Sequence, residues 1–162
     1  MSVSADDFRK ALAAWASGVA IVTSRGGETI HGMTVSAFSS VSLDPPLVLV
    51  CADKTSDTHA VILASGRFAV NVLSASQRAL SDRFALKKDE HRRFEGVPWS
   101  EAVTGAPLLD EAMVGIDCQV DAAHDAGDHV IYVGRVEALR VQEGEPLLHY
   151  RGRYRALAAD EG

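Results

Sequence analysis

The stretch that most constrains this chain is residues 113–123, where apolar and polar side chains alternate with a period of two. Val114, Ile116, Cys118 and Val120 point one way, and Asp117, Gln119 and Asp121 point the other. That period belongs to a half-buried β-strand. Ala126-Gly127-Asp128 is a turn sequence, and the run 129–142 beyond it supplies a long partner strand. A chain organised around such a hairpin is committed to antiparallel β-structure.

The shorter segments agree. Residues 19–23 predict a strand that enters a Gly26-Gly27 hairpin turn. Residues 31–43 read as one Ser/Thr/Val-rich strand stopped by Asp44-Pro45-Pro46, and 47–52 as an apolar strand covered on both faces. Residues 67–73 and 147–157 complete the strands. Three helices are expected: one capped by Ser4 with Phe8, Leu12 and Trp15 on one face, one over about 53–64, and one capped by Ser74 or Ser76 that carries Leu80 and Phe84. Residues 87–105 are charged, broken by Gly96, Pro98 and Gly105, and predict a surface excursion. Strict β-α-β alternation is missing. The expected architecture is mainly β with flanking helices, an antiparallel barrel forming a single domain over 1–162.

Composition narrows the function. A net charge of −6 with scattered arginines, densest only at Arg151, Arg153 and Arg155, argues against a nucleic-acid partner. No run approaches the length of a membrane helix, and the start MSVSADDFRK lacks the basic and apolar regions of a signal peptide, so a cytoplasmic location is expected. Cys51 and Cys118 sit apart in apolar surroundings and read as structural thiols.

Three familiar sites are absent: GxxxxGK[ST], GxGxxG and GxSxG. AHDAGDH, with His124, Asp125, Asp128 and His129, reads first as a hairpin turn; a functional His129 stays open, and no metal is expected. Two segments invite a ligand. Residues 32–42 carry too many small and hydroxyl side chains to fill a core, so they either line a flat polar ligand or form an exposed strand. Residues 53–58 join an apolar strand to a helix start, where free N–H groups bind phosphate and Lys54, Ser56 and Thr58 add a charge and hydroxyls. Plain capping by Ser56 is the alternative.

Together FRKALAAWASGVAIVT, GMTVSAFSSVSLDPPLVLVCADKTSDTHAVI, GRFAVNVLS, LSDRFA, AGDHVIYVGRV and PLLHYRGRY resemble the flavin reductase family over nearly the whole chain. These are FMN-binding split-barrel proteins, the reductase components of two-component flavin-dependent monooxygenases. The resemblance implies an antiparallel split β-barrel of the FMN-binding type. It also implies an NAD(P)H:flavin oxidoreductase that reduces FMN or FAD by direct hydride transfer from NADH or NADPH. By the same resemblance, Met33, Thr34, Val35, Ser36 and Ala37 contact the flavin ring through their backbone. Cys51, Ala52, Asp53, Lys54, Ser56 and Thr58 hold the ribityl chain and phosphate, and Phe84 and Ala85 lie near an adenylate. His129, Arg153 and Tyr154 match nicotinamide positions, with His129 a positioning group. The family further implies a homodimer with flavin near the interface and a separate monooxygenase that receives the reduced flavin. Such chemistry needs two stacked rings rather than a nucleophile. The alternative from another class is a non-enzymatic module that holds flavin tightly as an electron carrier.

Overall fold

The computed structural model describes residues 2–160; Met1, Glu161 and Gly162, the ends of the expected 1–162 domain, lie outside the described residues. The chain begins with α1 (Ala5–Ala13), β1 (Ser17–Gly18), β2 (Ala20–Gly26), β3 (Thr29–Val35), β4 (Phe38–Leu43) and β5 (Pro46–Asp53). It continues through α2 (Asp57–Ser65), β6 (Arg67–Val72), a 3-10 turn (Ala75–Gln77) and α3 (Arg78–Ala85). A second 3-10 turn (Glu90–Arg92) leads to β7 (Trp99–Ser100) and β8 (Leu108–Leu109). The long pair β9 (Val114–Ala126) and β10 (His129–Val141) and a small hairpin, β11 (Leu148–Tyr150) with β12 (Arg153–Arg155), finish it.

The seven-stranded sheet has the order β3-β2-β6-β9-β10-β5-β4, antiparallel throughout. Its two edge strands, β3 and β4, follow one another in sequence with only Ser36 and Ala37 between them. Held flat, seven strands would set those edges about 29 Å apart, at ~4.8 Å per spacing. The connection reaches about 11 Å at most. The sheet therefore curls until its edges approach, and because β3 and β4 do not pair, the barrel stays split at that seam.

Curling gives the sheet an inner and an outer face. Val22, Val50, Phe68, Val70, Cys118 and Tyr132 fill the inside, and α2 adds Ile62 to the same cluster. Gly134 is needed there: a Cβ would lie 2.5 Å from Phe68 Cζ and 2.8 Å from Cys118 Cβ. Burial, then the charges of Asp117 and Glu137, push the Cys118 thiol up to about 12, which leaves it without thiolate reactivity at neutral pH. On the outer face Val19, Ile21 and Leu73 are covered by Phe84 of α3 together with Leu109 and Leu147.

Several expectations need correction. The single strand 31–43 is two strands, broken where the chain turns the barrel corner at Ser36-Ala37. The apolar strand 47–52 is not covered on both faces: Val48, Val50 and Ala52 are buried, whereas Leu47, Leu49 and Cys51 are half-buried on the far side. Its even hydrophobicity serves a face that this chain alone leaves open. The segment 147–157 is a hairpin, because Arg151 (φ 48°) and Gly152 (φ 73°) reverse it. Asp117 does point away from the barrel interior, but it is fully buried. Its carboxylate accepts from the backbone N–H of Val103 and of Thr104, both at 2.8 Å, and from the Thr104 hydroxyl. The run read as a surface excursion is thus clamped onto the sheet. Asn71 adds a second clamp, its Nδ2 donating to Ile21 O (3.0 Å) and its Oδ1 accepting from Leu109 N–H (2.8 Å).

Candidate active site

β5 delivers the chain to the barrel rim at Asp53, whose Oδ1 accepts from Thr55 N–H and Thr55 Oγ1–H, both at 2.7 Å. Asp side chains favour this local turn. The Thr55 hydroxyl and amide, with smaller contributions from His129 and Lys87, hold the Asp53 carboxyl below the usual carboxylate range. Ser56 then caps α2, accepting from His59 N–H at 3.1 Å and donating to Asp53 O at 2.8 Å. Its hydroxyl is fully used by the cap, while the amides of Asp57 and Thr58 are the unpaired donors of the first turn.

Opposite α2 stand β3 and α3. Thr34 Oγ1–H donates to Ser81 O at 2.6 Å, which fixes the distance between strand and helix. Gly32 lets Phe84 lie flat against β3, since a Cβ there would meet Phe84 Cε1 at 2.8 Å. Phe84 in turn meets Phe94 edge-on, with ring centroids 5.1 Å apart. Arg93 closes the wall: Nη1 donates to Gly32 O (2.8 Å), Nη2 to Leu86 O (2.5 Å), and Glu90 pairs with it at 3.5 Å. Between these elements lies a cavity of about 480 Å³ lined by Met33, Thr34, Asp53, Ser56, Phe84 and Ala85, with Lys87 and Arg93 as its cations.

A second hollow of about 390 Å³ lies on the other side of the barrel seam. It takes in Ser36, Ala37 and Cys51 together with Leu12, Trp15 and His149. The corner between the hollows is held by backbone bonds, Phe38 N–H to Ser36 O (3.0 Å) and Cys51 N–H to Ala37 O (3.2 Å). The stretch from Met33 to Ala37 therefore runs from one hollow to the other. One hollow carries two cations, Lys87 and Arg93, beside three carboxylates, Asp53, Asp57 and Glu90, and the other sets Leu12, Trp15, Phe38 and Leu49 with Ser36 and Ser39.

Not every expected residue meets there. Val35 packs on the interior cluster, Ala52 is fully buried within it, and Thr58 is buried in the first turn of α2, so these three can offer only backbone. Lys54 turns away: its Nζ is 2.8 Å from Asp125 Oδ1, in a separate groove with His59 and Leu63. His129 pairs with Asp53 across β10 and β5, and its Nδ1 is 2.7 Å from Asp128 Oδ1. That contact holds the Asp128 carboxyl low. Tyr154 O–H donates to Asp82 Oδ1 (2.6 Å) and its oxygen accepts from Ser81 Oγ–H (2.8 Å), which ties it through Ser81 to Thr34. Burial first, then the Asp82 bond, raises its phenol above the ordinary value. Arg153 is exposed on β12.

Sequence reasoning missed Lys87, Arg93 and His149. The available signal for Arg93 was Phe94, an aromatic inside a charged run, which must find burial and carries its neighbour inward.

The sequence matches the family described as "Flavin reductase like domain" over residues 12–158. It is 44% identical over 153 residues to the NADH-dependent flavin reductase of Rhodococcus sp, covering 93% of this chain and 85% of that protein. It is 39% identical to the reductase subunit HsaB of a flavin-dependent monooxygenase from Rhodococcus jostii (strain RHA1), covering 95% of this chain and 78% of that one. The NADH:FAD oxidoreductase SgcE6 of Streptomyces globisporus, solved with NAD and FAD fragments, superposes with a TM-score of 0.90 at 34% identity, covering 100% of this chain and 99% of that chain. A split barrel, a seam flanked by two hollows and this degree of likeness place the chain in the flavin reductase family.

Proposed function

We propose that the protein is an NADH-dependent flavin reductase that reduces FMN or FAD and releases the product to a separate monooxygenase, the whole chain acting as one domain. The observation that carries this reading is the Met33–Ala37 stretch, which passes from the cavity with Phe84, Lys87 and Arg93 to the hollow with Leu12, Trp15 and Cys51. When both partners are bound, nicotinamide supplies the hydride and flavin accepts it. The chain's own task is to hold two rings at near-contact distance and keep them there. Backbone N–H groups of the Met33–Ala37 stretch would hold the ring's polar edge, where such donors would stabilise developing negative charge. His129, at the β9–β10 turn, and Tyr154, on the terminal hairpin, are the residues that would orient the nicotinamide.

The test is absorbance-monitored NADH oxidation with FMN, FAD and riboflavin added in turn. Turnover proportional to added flavin is the expected result. Folded protein that oxidises NADH with none of them would sink the reading in favour of a flavin-holding carrier.

The same proposal includes a homodimer. Phe8 and Leu12 on α1 are more than half exposed and Trp15 is 79% exposed, and Leu12 and Trp15 border the hollow that contains Ser36 and Ala37. A second copy seated on this face would bury those side chains and close the ring site. Light scattering should give about twice 17.3 kDa; a fully active monomer would contradict the interface. No helix among the described residues is long and apolar enough to cross a membrane, and a cytoplasmic location is part of this proposal.

A further inference from the structure

The terminal hairpin stands outside the barrel sheet. β12 pairs with β11 alone, and β11 is joined in turn to the two-residue β1. That pairing anchors β11, as does Leu147 just before it, buried in the cluster with Ile21 and Phe84. β12 has no such support: Arg153 and Arg155 are exposed, and Tyr154 between them is the residue that packs inward. One turn of α3 receives it. Arg78, Ser81 and Asp82 stand at i, i+3 and i+4 and so share a helix face. The Arg78 guanidinium lies 5.0 Å from the Tyr154 ring centroid, within cation–π range. The phenol donates to Asp82 Oδ1 and accepts from Ser81 Oγ–H, so its hydroxyl is committed to α3. Ser81 also accepts on its carbonyl oxygen from Thr34 Oγ1–H at 2.6 Å. A single helical turn thus grips β3 on one side and the terminal hairpin on the other.

We propose that Asp82 is a positioning residue for the nicotinamide: it latches Tyr154, and through it β12, at a fixed distance from the Met33–Ala37 stretch. Resting on the reductase reading, this adds to it the element that sets the spacing between the two ring sites. Tyr154 then offers the nicotinamide its ring and backbone, while its hydroxyl serves the latch. Without the Asp82 acceptor the hydroxyl keeps only Ser81, and β12 samples positions away from α3. NADH then binds only the latched fraction of the protein. Its apparent KM rises by the inverse of that fraction, and the rate at saturation stays nearly the same. The Thr34 bond to Ser81 is untouched, so the flavin side of the site keeps its geometry.

Steady-state NADH oxidation at saturating FMN, with FMN affinity read by flavin fluorescence, tests this in Asp82→Ala, Asp82→Asn, Tyr154→Phe and the double variant Asp82→Ala/Tyr154→Phe. Asp82→Ala is expected to raise the KM for NADH on the order of 5- to 10-fold, the range of one hydrogen bond to an exposed carboxylate. Its kcat and FMN affinity should stay within about twofold. Asp82→Asn keeps an acceptor oxygen and should restore the KM to within about twofold of the unaltered protein. Tyr154→Phe should match Asp82→Ala, and the double variant should be no worse than either, because both remove the same bond. A lower melting temperature with an unchanged KM, an equal loss of FMN affinity, or additive effects in the double variant would overturn the assignment and leave the reductase reading intact. Unaltered protein that oxidises NADH with no flavin would overturn both.

Discussion

Ser36→Trp is expected to lower flavin-dependent NADH oxidation about 100-fold or more while the protein remains folded. The argument is geometric. Ser36 is exposed, its side chain makes no hydrogen bond that the barrel needs, and it lies at the corner where the seam opens into the hollow with Ala37 and Cys51. An indole fills that space without disturbing the backbone bonds that hold the corner. Hydride transfer depends steeply on ring separation, and a displacement near 1 Å is worth on the order of 100-fold. Turnover measured alongside a melting curve separates a blocked site from an unfolded one. Unchanged turnover would put the ring elsewhere on the barrel.

Asp117→Ala is expected to destabilise the fold by about 3 kcal/mol, because it removes the shared acceptor of the Val103 and Thr104 amides and the Thr104 hydroxyl and leaves a void at a fully buried position. For a chain of this size that is a drop of about 6–12 °C in melting temperature. Asp117→Asn should lose only about 1 kcal/mol. One amide oxygen can still accept both backbone N–H groups, and the Thr104 hydroxyl can rotate to accept from the amide nitrogen. Both variants are read by urea unfolding. An Ala variant as stable as the Asn variant would mean that the 99–112 segment does not depend on this clamp.

The two substitutions mark different limits of sequence reading. Ser36 belongs to a segment whose small and hydroxyl side chains already set it apart from core-forming strands, so its candidacy was visible in the residue types. What pattern could not show is the corner. Nothing in residues 31–43 announces that the strand stops at Val35 and restarts at Phe38, because the break comes from the curl of the whole sheet. Asp117 shows the opposite failure. Its alternation with Ile116 and Cys118 correctly put it on the far face, but alternation reports direction and not what covers that face. The cover arrives at Val103 and Thr104, within the run 87–105 that was read as irregular because it is not periodic.

The candidate site divides the same way. Asp53 and Ser56 lie in a segment that turn chemistry and capping singled out locally, whereas Phe84 joined the site through the resemblance to the family. Lys54 shared their segment and was grouped with them, yet its side chain follows Asp125, a partner from the β9–β10 turn. Lys87 and Arg93 were hidden in the charged run, since a local reading treats charge as solvation and cannot see a cavity wall.

By itself the sequence determined most of the element types, the long β9–β10 hairpin, the helix caps at Ser4 and Ser56 and the family, because each depends on neighbours a few residues apart or on strings that stand intact in the chain, whereas α3 begins at Arg78 beyond the expected Ser74 or Ser76 cap. Only the tertiary structure decided where the barrel splits, which face each strand turns to solvent, and which cation meets the cavity. Those depend on contacts between residues tens of positions apart, such as Arg93 with Gly32 or Asn71 with Leu109, whose pairing no local pattern encodes.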